Sequence, residues 1–170
     1  MSNAAKQSDH MSEEQEAGNQ YLTFILAGEE YGVDILKVQE IRSWESATKI
    51  PNTPDYVLGV INLRGTIVPI IDVRQRFSME KTEIDSTTVV VVVKVSHENT
   101  ARTIGMLVDA VSEVYNVPEA DIRPMPDVSS HIATEFVKGL TTVNDKMIII
   151  LDVDLLINTG VLKEVLSETE

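Results

Sequence analysis

The chain contains no cysteine. Disulfides, zinc-thiolate sites and thiol nucleophiles are therefore excluded, which fits a reducing cytosol without proving it. Aromatic residues make up 5% of the 170 positions and apolar residues 43%, so Val, Ile and Leu must fill the core. Long apolar runs are missing as well. The longest, at 89–93 and 147–151, fall far short of the roughly 18 residues that cross a bilayer. Basic charge is scarce: 14 Lys and Arg stand against 27 Asp and Glu, a formal charge of −13. Such a surface repels phosphate backbones and anionic headgroups, so nucleic acid is a poor partner and direct membrane insertion is not expected. Part of that charge lies in the tails, and simple solubility accounts for most of the excess. The opening MSNAAKQSDHMSEEQEAGNQ lacks the basic and apolar regions of a signal peptide. A disordered tail over 1–19 is the expectation.

What is present reads as many short strands. Residues 21–27 alternate with one better-buried face, 28–30 turn, and 31–33 begin a return strand. Asp34 can cap a helical turn over 35–38, after which 39–44 resume a strand. Ile50-Pro51-Asn52-Thr53-Pro54 is rich in breakers and reads as a loop. Residues 57–63 and 66–73 form a hairpin about Arg64-Gly65, and 79–86 a polar linker. The valine-dominated run 87–95 predicts a strand buried on both faces. Strands follow over 103–108 and 111–117, then a loop over 118–126 with a capped acidic turn. Residues 137–143 and 146–152 predict a second hairpin, turning at Asn144-Asp145. Asp152 or Asp154 can cap a short helix through 155–158, and Leu162, Val165 and Leu166 suggest a further amphipathic turn. Breakers recur about every ten residues, which favours small barrels or a sandwich over a sheet with crossover helices.

The chain also resembles itself. Gly32, Val38, Glu40 and Ile41 align without gaps on Gly105, Val111, Glu113 and Val114. VLGVINLRGTIVPIIDV (57–73) aligns on VKGLTTVNDKMIIILDV (137–153), with Gly59 on Gly139, Ile70 on Ile150, Asp72 on Asp152 and Arg64-Gly65 on Asn144-Asp145. Two related barrels would each bury little surface alone, so a shared core between them, and a groove at their junction, are expected.

Catalytic patterns are lacking. His10, His97 and His131 have no carboxylate at ligand spacing, and no nucleophile elbow, phosphate loop or dinucleotide fingerprint occurs. Asp72 and Asp152 follow apolar strands, where N-capping explains them better than acid–base chemistry. Asp109 and Glu113 lie near each other, but nothing splits them into acid and base. No catalytic residue, metal or cofactor is assigned.

With these residues in view, the chain resembles the CheW family of chemotaxis coupling proteins. The resemblance is carried by EEYGVDILKVQEIR (29–42), IPNTPDYVLGVINLRGTIVPIIDVRQRF (50–77), the Val-rich strand from Thr87, GMLVDAVSEV (105–114), Asp121-Ile122-Arg123-Pro124 and KMIIILDVDLLI (146–157). It spans about residues 20–158. The patterns Y-G-x-D-I-x-x-V-x-E-I and N-L-R-G-x-x-x-P-I-x-D-x-R together are specific.

The resemblance implies a mostly β fold of two small SH3-like barrels about a shared hydrophobic core, with short helices. The folded domain would cover 20–158, its two repeats meeting near 80–88 with strands free to cross, and 159–170 would form a C-terminal helical tail. It implies no catalytic activity and a cytoplasmic adaptor that couples chemoreceptor cytoplasmic tips to the histidine kinase CheA, whose regulatory domain it would contact. The protein would be a monomer alone and assembled in receptor arrays. Receptor contacts would fall on Val38, Glu40, Ile41, Gly59, Arg64, Gly65, Val89, Gly105 and Val114. Kinase contacts would fall on Ile35 and Leu36. Read as residues alone, Val38, Ile41, Val89 and Val114 fit core packing better than a docking floor. Glu40 alone would be a solvated strand residue, and the glycines turn or bulge positions. Three other readings stand beside this one: a scaffold of a non-flagellar pathway, a fragment of a longer coupling protein with a phosphoacceptor domain, and a small β-barrel enzyme. The charged ending LSETE argues against the fragment, and the lack of a nucleophile–base pair against the enzyme.

Overall fold

The structure, a computed structural model, describes residues 19–126 and 136–158. Residues 1–18 of the tail expected over 1–19, and the C-terminal helical tail expected over 159–170, lie outside them. Strands dominate. β1 (Gln20–Leu26), β2 (Glu29–Asp34), β3 (Val38–Ser43), β4 (Val57–Leu63) and β5 (Thr66–Asp72) are followed by helix α1 (Val73–Arg76). β6 (Val89–His97), β7 (Thr100–Val108), β8 (Ala110–Asn116), β9 (Val137–Val143) and β10 (Lys146–Leu151) are followed by helix α2 (Val153–Asn158). The same order of five strands and a helix thus occurs twice.

The ten strands form two five-stranded sheets with matching orders. Sheet one runs β8-β1-β2-β10-β9 and sheet two β3-β6-β7-β5-β4. Each sheet takes the first two strands of one repeat and the last three of the other, a reciprocal exchange. The segment between α1 and β6, which holds the expected linker over 79–86, joins the two repeats, and β5 and β6 on either side of it both belong to sheet two. The crossings occur instead between β2 and β3 and between β7 and β8. Each exchange is sealed by a parallel pair. β10 lies along β2 with Ile150 opposite Gly32, and β5 along β7 with Ile70 opposite Gly105. These are the residues that align in the duplication.

The repeat extends to irregularities. A register shift between Val57 and Gly59 matches one in the β9–β10 pair, and isolated bridges Thr48↔Val60 and Arg123↔Leu140 tie an incoming segment onto β4 and β9. Gly59 sits at φ +140°, and a Cβ there would run into the Thr48 carbonyl; Gly139 meets the Arg123 carbonyl in the same way. The glycines let a second backbone close each barrel.

The largest apolar cluster lies between the sheets. Phe24, Tyr31 and Val33 meet Val91, Val93, Ile104, Met106 and Val108 there, all buried. Val90 and Val92, on the opposite face of β6, fill a smaller cluster with Leu63, Val68, Ile70 and Leu107. The valine run is thus buried on both faces, each side chain contributing about 1.5–3 kcal/mol of transfer free energy. A third cluster of Tyr21, Val117, Ile148 and Ile150 fills sheet one. Phe24, Tyr31, Phe77 and Phe136 line up through the shared core with ring centroids 5.7–6.2 Å apart.

Local chemistry sets several boundaries. Asp34 caps a 3₁₀ turn over Ile35–Lys37 by accepting from the Leu36 N–H at 2.9 Å. Asp72 caps α1 through the Arg74 N–H, and Asp152 caps α2 through the Leu155 N–H. The acidic 3₁₀ turn Glu119–Asp121 carries no side-chain cap, since Pro118 precedes it. β7 begins at Thr100, three residues before the expected start, because Glu98 and Asn99 adopt φ of 48° and 64° and close a tight hairpin.

Candidate functional site

The β4–β5 turn is exposed and conformationally constrained. Arg64 and Gly65 both take positive φ, 51° and 88°, as a two-residue hairpin turn of this hand requires. Gly65 N–H donates to Asn62 Oδ1 at 2.8 Å, which fixes the turn without help from the guanidinium. A left-handed conformation is unfavourable for a β-carbon-bearing residue, and Asn or Asp tolerates it best. The matching turn carries Asn144 and Asp145 at φ 51° and 64°. Turn geometry therefore accounts for Gly65 but not for Arg64.

The Arg64 side chain reaches from this turn to β3, where Nη2 donates to Glu40 Oε2 at 2.9 Å. β3 and β4 are opposite edges of sheet two, so the sheet must roll up for the pair to form. Arg42 approaches Glu40 from the other side at 3.6 Å. One carboxylate thus lies between two guanidiniums, with the Arg64 side chain 72% exposed. A cleft of about 280 Å³, lined in part by Arg42, Trp44 and Asn62, separates the β3 continuation from β4.

Around this ion pair, β3 presents Ile41 outward at 44% exposure, while Val38 is half-buried against the shared core. The β3–β6 pairing shifts between Val38 and Glu40, a bulge at Gln39. Bulges re-aim the side chains beside them. Val89 opens β6 opposite Ser43 and Val108 and is also half-buried against the shared core. Val114, the repeat counterpart of Ile41, is 47% exposed on β8, the edge strand of sheet one.

The structure therefore brings Val38, Glu40, Ile41, Arg64, Gly65 and Val89 onto sheet two, and places Val114 on the edge of the other sheet. Gly59 and Gly105 are enclosed. A Cβ at Gly105 would press into Ile70 and lie 2.9 Å from Val90, so that glycine serves packing. Ile35 is half-buried and packs against the shared core, whereas Leu36 stands 75% exposed. Sequence reasoning missed Arg42 as the second cation on Glu40, although their i, i+2 spacing on a strand was a readable signal. Among the described residues, no three His, Cys, Asp or Glu side chains gather as a metal would need, and no helix is long and apolar enough to cross a membrane.

Comparison with known proteins matches residues 20–160 to the family model described as the CheW-like domain. The chain is similar to the chemotaxis protein CheW of Klebsiella aerogenes, 44% identical over 142 residues that cover 84% of this chain and 83% of that one. It is 38% identical to the chemotaxis protein CheW of Rhizobium meliloti over 154 residues, covering 91% and 93% of the two chains. The crystal structure of the scaffolding protein TtCheW from Thermoanaerobacter tengcongensis superposes with a TM-score of 0.74 at 39% identity. That match covers 84% of this chain and 94% of TtCheW.

Proposed function

The chain belongs to the CheW-like domain family, and from that premise we propose that it is a non-enzymatic cytoplasmic adaptor coupling chemoreceptor tips to the histidine kinase CheA. A receptor tip is an amphipathic helical surface, and such a surface docks by laying apolar residues into a groove beside fixed polar groups. Val38, Ile41, Val89 and Val114 would supply the apolar floor. Arg64, with Glu40 orienting it, would grip a helix carboxylate or carbonyl through its remaining donors. Gly59 and Gly105 would act through the shape of the barrel rather than by touch. The observation that carries this reading is the exposed Arg64 guanidinium, held by Glu40 on a turn that does not need it. Kinase contact would fall on the 3₁₀ turn, with Leu36 as the exposed anchor and Ile35 supporting it from the core.

The test is reconstitution of a receptor cytoplasmic fragment, the kinase and this protein, with kinase autophosphorylation as the readout. Receptor-dependent control of the kinase should appear only when this protein is added. Control that is the same without it would overturn the proposal.

A further inference from the structure

Arg74, the last residue of the P-I-x-D-x-R pattern, takes no part in the site described above. Its guanidinium grips Asp109: Nε lies 2.9 Å from Oδ1 and 3.1 Å from Oδ2, and Nη2 lies 2.7 Å from Oδ2. Asp109 is the single residue between β7 and β8, where the chain passes from sheet two to sheet one. Its Oδ2 also accepts from the Ala27 N–H at 2.9 Å, in the β1–β2 turn of sheet one. Its own N–H donates to the Ile25 carbonyl, and its carbonyl accepts from Thr87 Oγ1. One residue therefore ties α1 to the β1–β2 turn of sheet one.

The second crossing holds a similar contact with the charges reversed, one residue out of register with the first. The position equivalent to Arg74 is Asp154, on α2, which follows β10 of sheet one and packs into the shared core against β6 of sheet two. Its Oδ2 accepts from Lys37 Nζ at 3.1 Å and its Oδ1 from the Ser96 N–H at 2.9 Å. Lys37 lies in the 3₁₀ turn where the chain passes from sheet one to sheet two, and Ser96 near the end of β6 in sheet two. Asn158 Nδ2 adds a bond to the Ser96 carbonyl at 2.8 Å.

We propose that Asp109 and Asp154 are positioning residues, two latches that fix the angle between the sheets and so the shape of the groove. Apolar burial is non-directional, and two packed sheets held by aliphatic side chains can shift against each other. Directional, charge-assisted bonds at both crossings select one arrangement. The latches adjoin the residues proposed as the groove floor: Val38 follows Lys37 in the chain, and Val89 pairs with Val108 beside Asp109. The two differ in strength. The forked guanidinium grips both oxygens of Asp109, whereas a single ammonium holds Asp154. The Arg74–Asp109 end is the pin, and the Lys37–Asp154 end yields first. The groove's helical occupant rests on the function proposed above; the latches themselves do not.

The absence of cysteine makes the test clean. Spin labels at Lys94→Cys in sheet two and Thr142→Cys in sheet one, both exposed, report the distance between the sheets. Asp109→Asn and Asp154→Asn are each compared with the parent for that distance distribution, for thermal midpoint, and, unlabelled, for affinity to a receptor cytoplasmic fragment. Both variants should broaden or shift the distribution, Asp109→Asn more. If only a tenth of the molecules keep the competent angle, receptor affinity falls about tenfold. Should Asp109→Asn fail to fold, Asp154→Asn and Lys37→Met carry the test at the weaker latch. Distributions unchanged in every folded variant would overturn the proposal. A changed distribution with unchanged receptor affinity would leave the latches standing and remove the receptor from the groove.

Discussion

Arg64 and Glu40 are 24 residues apart in sequence and on opposite edges of one sheet, yet their side chains meet at 2.9 Å. The contact joins a hairpin tip to an edge strand outside the barrel, where solvent screens it. Exposed pairs of this kind contribute about 0–1 kcal/mol. Arg64→Ala should therefore shift stability by no more than about 1 kcal/mol, since Glu40 keeps Arg42 nearby. Receptor binding and receptor control of the kinase should both fall. Thermal melting, receptor affinity and coupled kinase activity check this, and a mutant that binds receptor like the parent sinks it. The double swap Glu40→Arg with Arg64→Glu should remake the pair, less the repulsion between the new arginine and Arg42, but not restore binding, because the cation has moved off the turn.

Leu36 and Ile35 are neighbours with different surroundings. Leu36→Asp places a charge on a side chain already in water, so folding should barely change, while kinase affinity should drop by about 1–3 kcal/mol, one hot-spot loss. Ile35→Asp puts the charge against the shared core and should lower the melting point together with every binding activity. Calorimetric titration with the kinase regulatory domain, beside melting curves, separates the two. Equal effects from both changes would refute the distinction.

Alanine at Gly59 or Gly105 should destabilise by about 1–3 kcal/mol through overpacking, with Gly59→Ala adding backbone strain at φ +140°. Any loss of receptor binding should then track the unfolded fraction and recover on cooling toward full folding. A binding defect that persists in fully folded protein would mean that the added methyl reshapes the folded barrel or its surface.

The linker before β6 carries a pH response of known sign. Thr87 donates through its hydroxyl and its N–H to Asp85 Oδ1, holding that carboxyl below its ordinary value of 3.8. A depressed carboxyl stabilises the fold above its unfolded value, and the contribution is lost as pH falls through the folded one. Asp85→Asn should melt slightly earlier than the parent at neutral pH, and the gap should begin to close near about pH 4 and vanish only below the folded value. A gap that widens in acid would reverse the assignment.

The two hairpins were legible because their turns sit between clean apolar runs, and the β6 strand because a run of valines has no other home. The capping roles of Asp34, Asp72 and Asp152 were legible from the residues that follow them. The sheet partners were not. Gly32 faces Ile150 and Gly105 faces Ile70, and pairings across such separations depend on how two repeats fit, which no local period encodes. Glycine has no side chain to betray which way it faces, so the burial of Gly105 was invisible. Ile35 and Leu36 could not be ranked because a single 3₁₀ turn is too short to show a periodicity. Of the site, Arg64 and Glu40 could be named from sequence, but their mutual contact required the closed barrel.

The reciprocal exchange of strands also dictates an order of events on the ribosome. Sheet two draws on β3 to β7 and can close once Val108 has emerged. Sheet one cannot: β1 and β2 are made first, yet their partners β8, β10 and β9 come last. Until sheet two closes, Phe24, Tyr31 and Val33 have no opposing sheet to pack on, and until β8 to β10 emerge the β1–β2 hairpin has no further strand partners, so the chain carries exposed apolar surface through most of its synthesis. Nascent chains stalled after β7 should bind general chaperones more strongly than the released protein. Sheet one cannot be excised as a contiguous fragment, and its high contact order makes slow, all-or-none folding the expected behaviour.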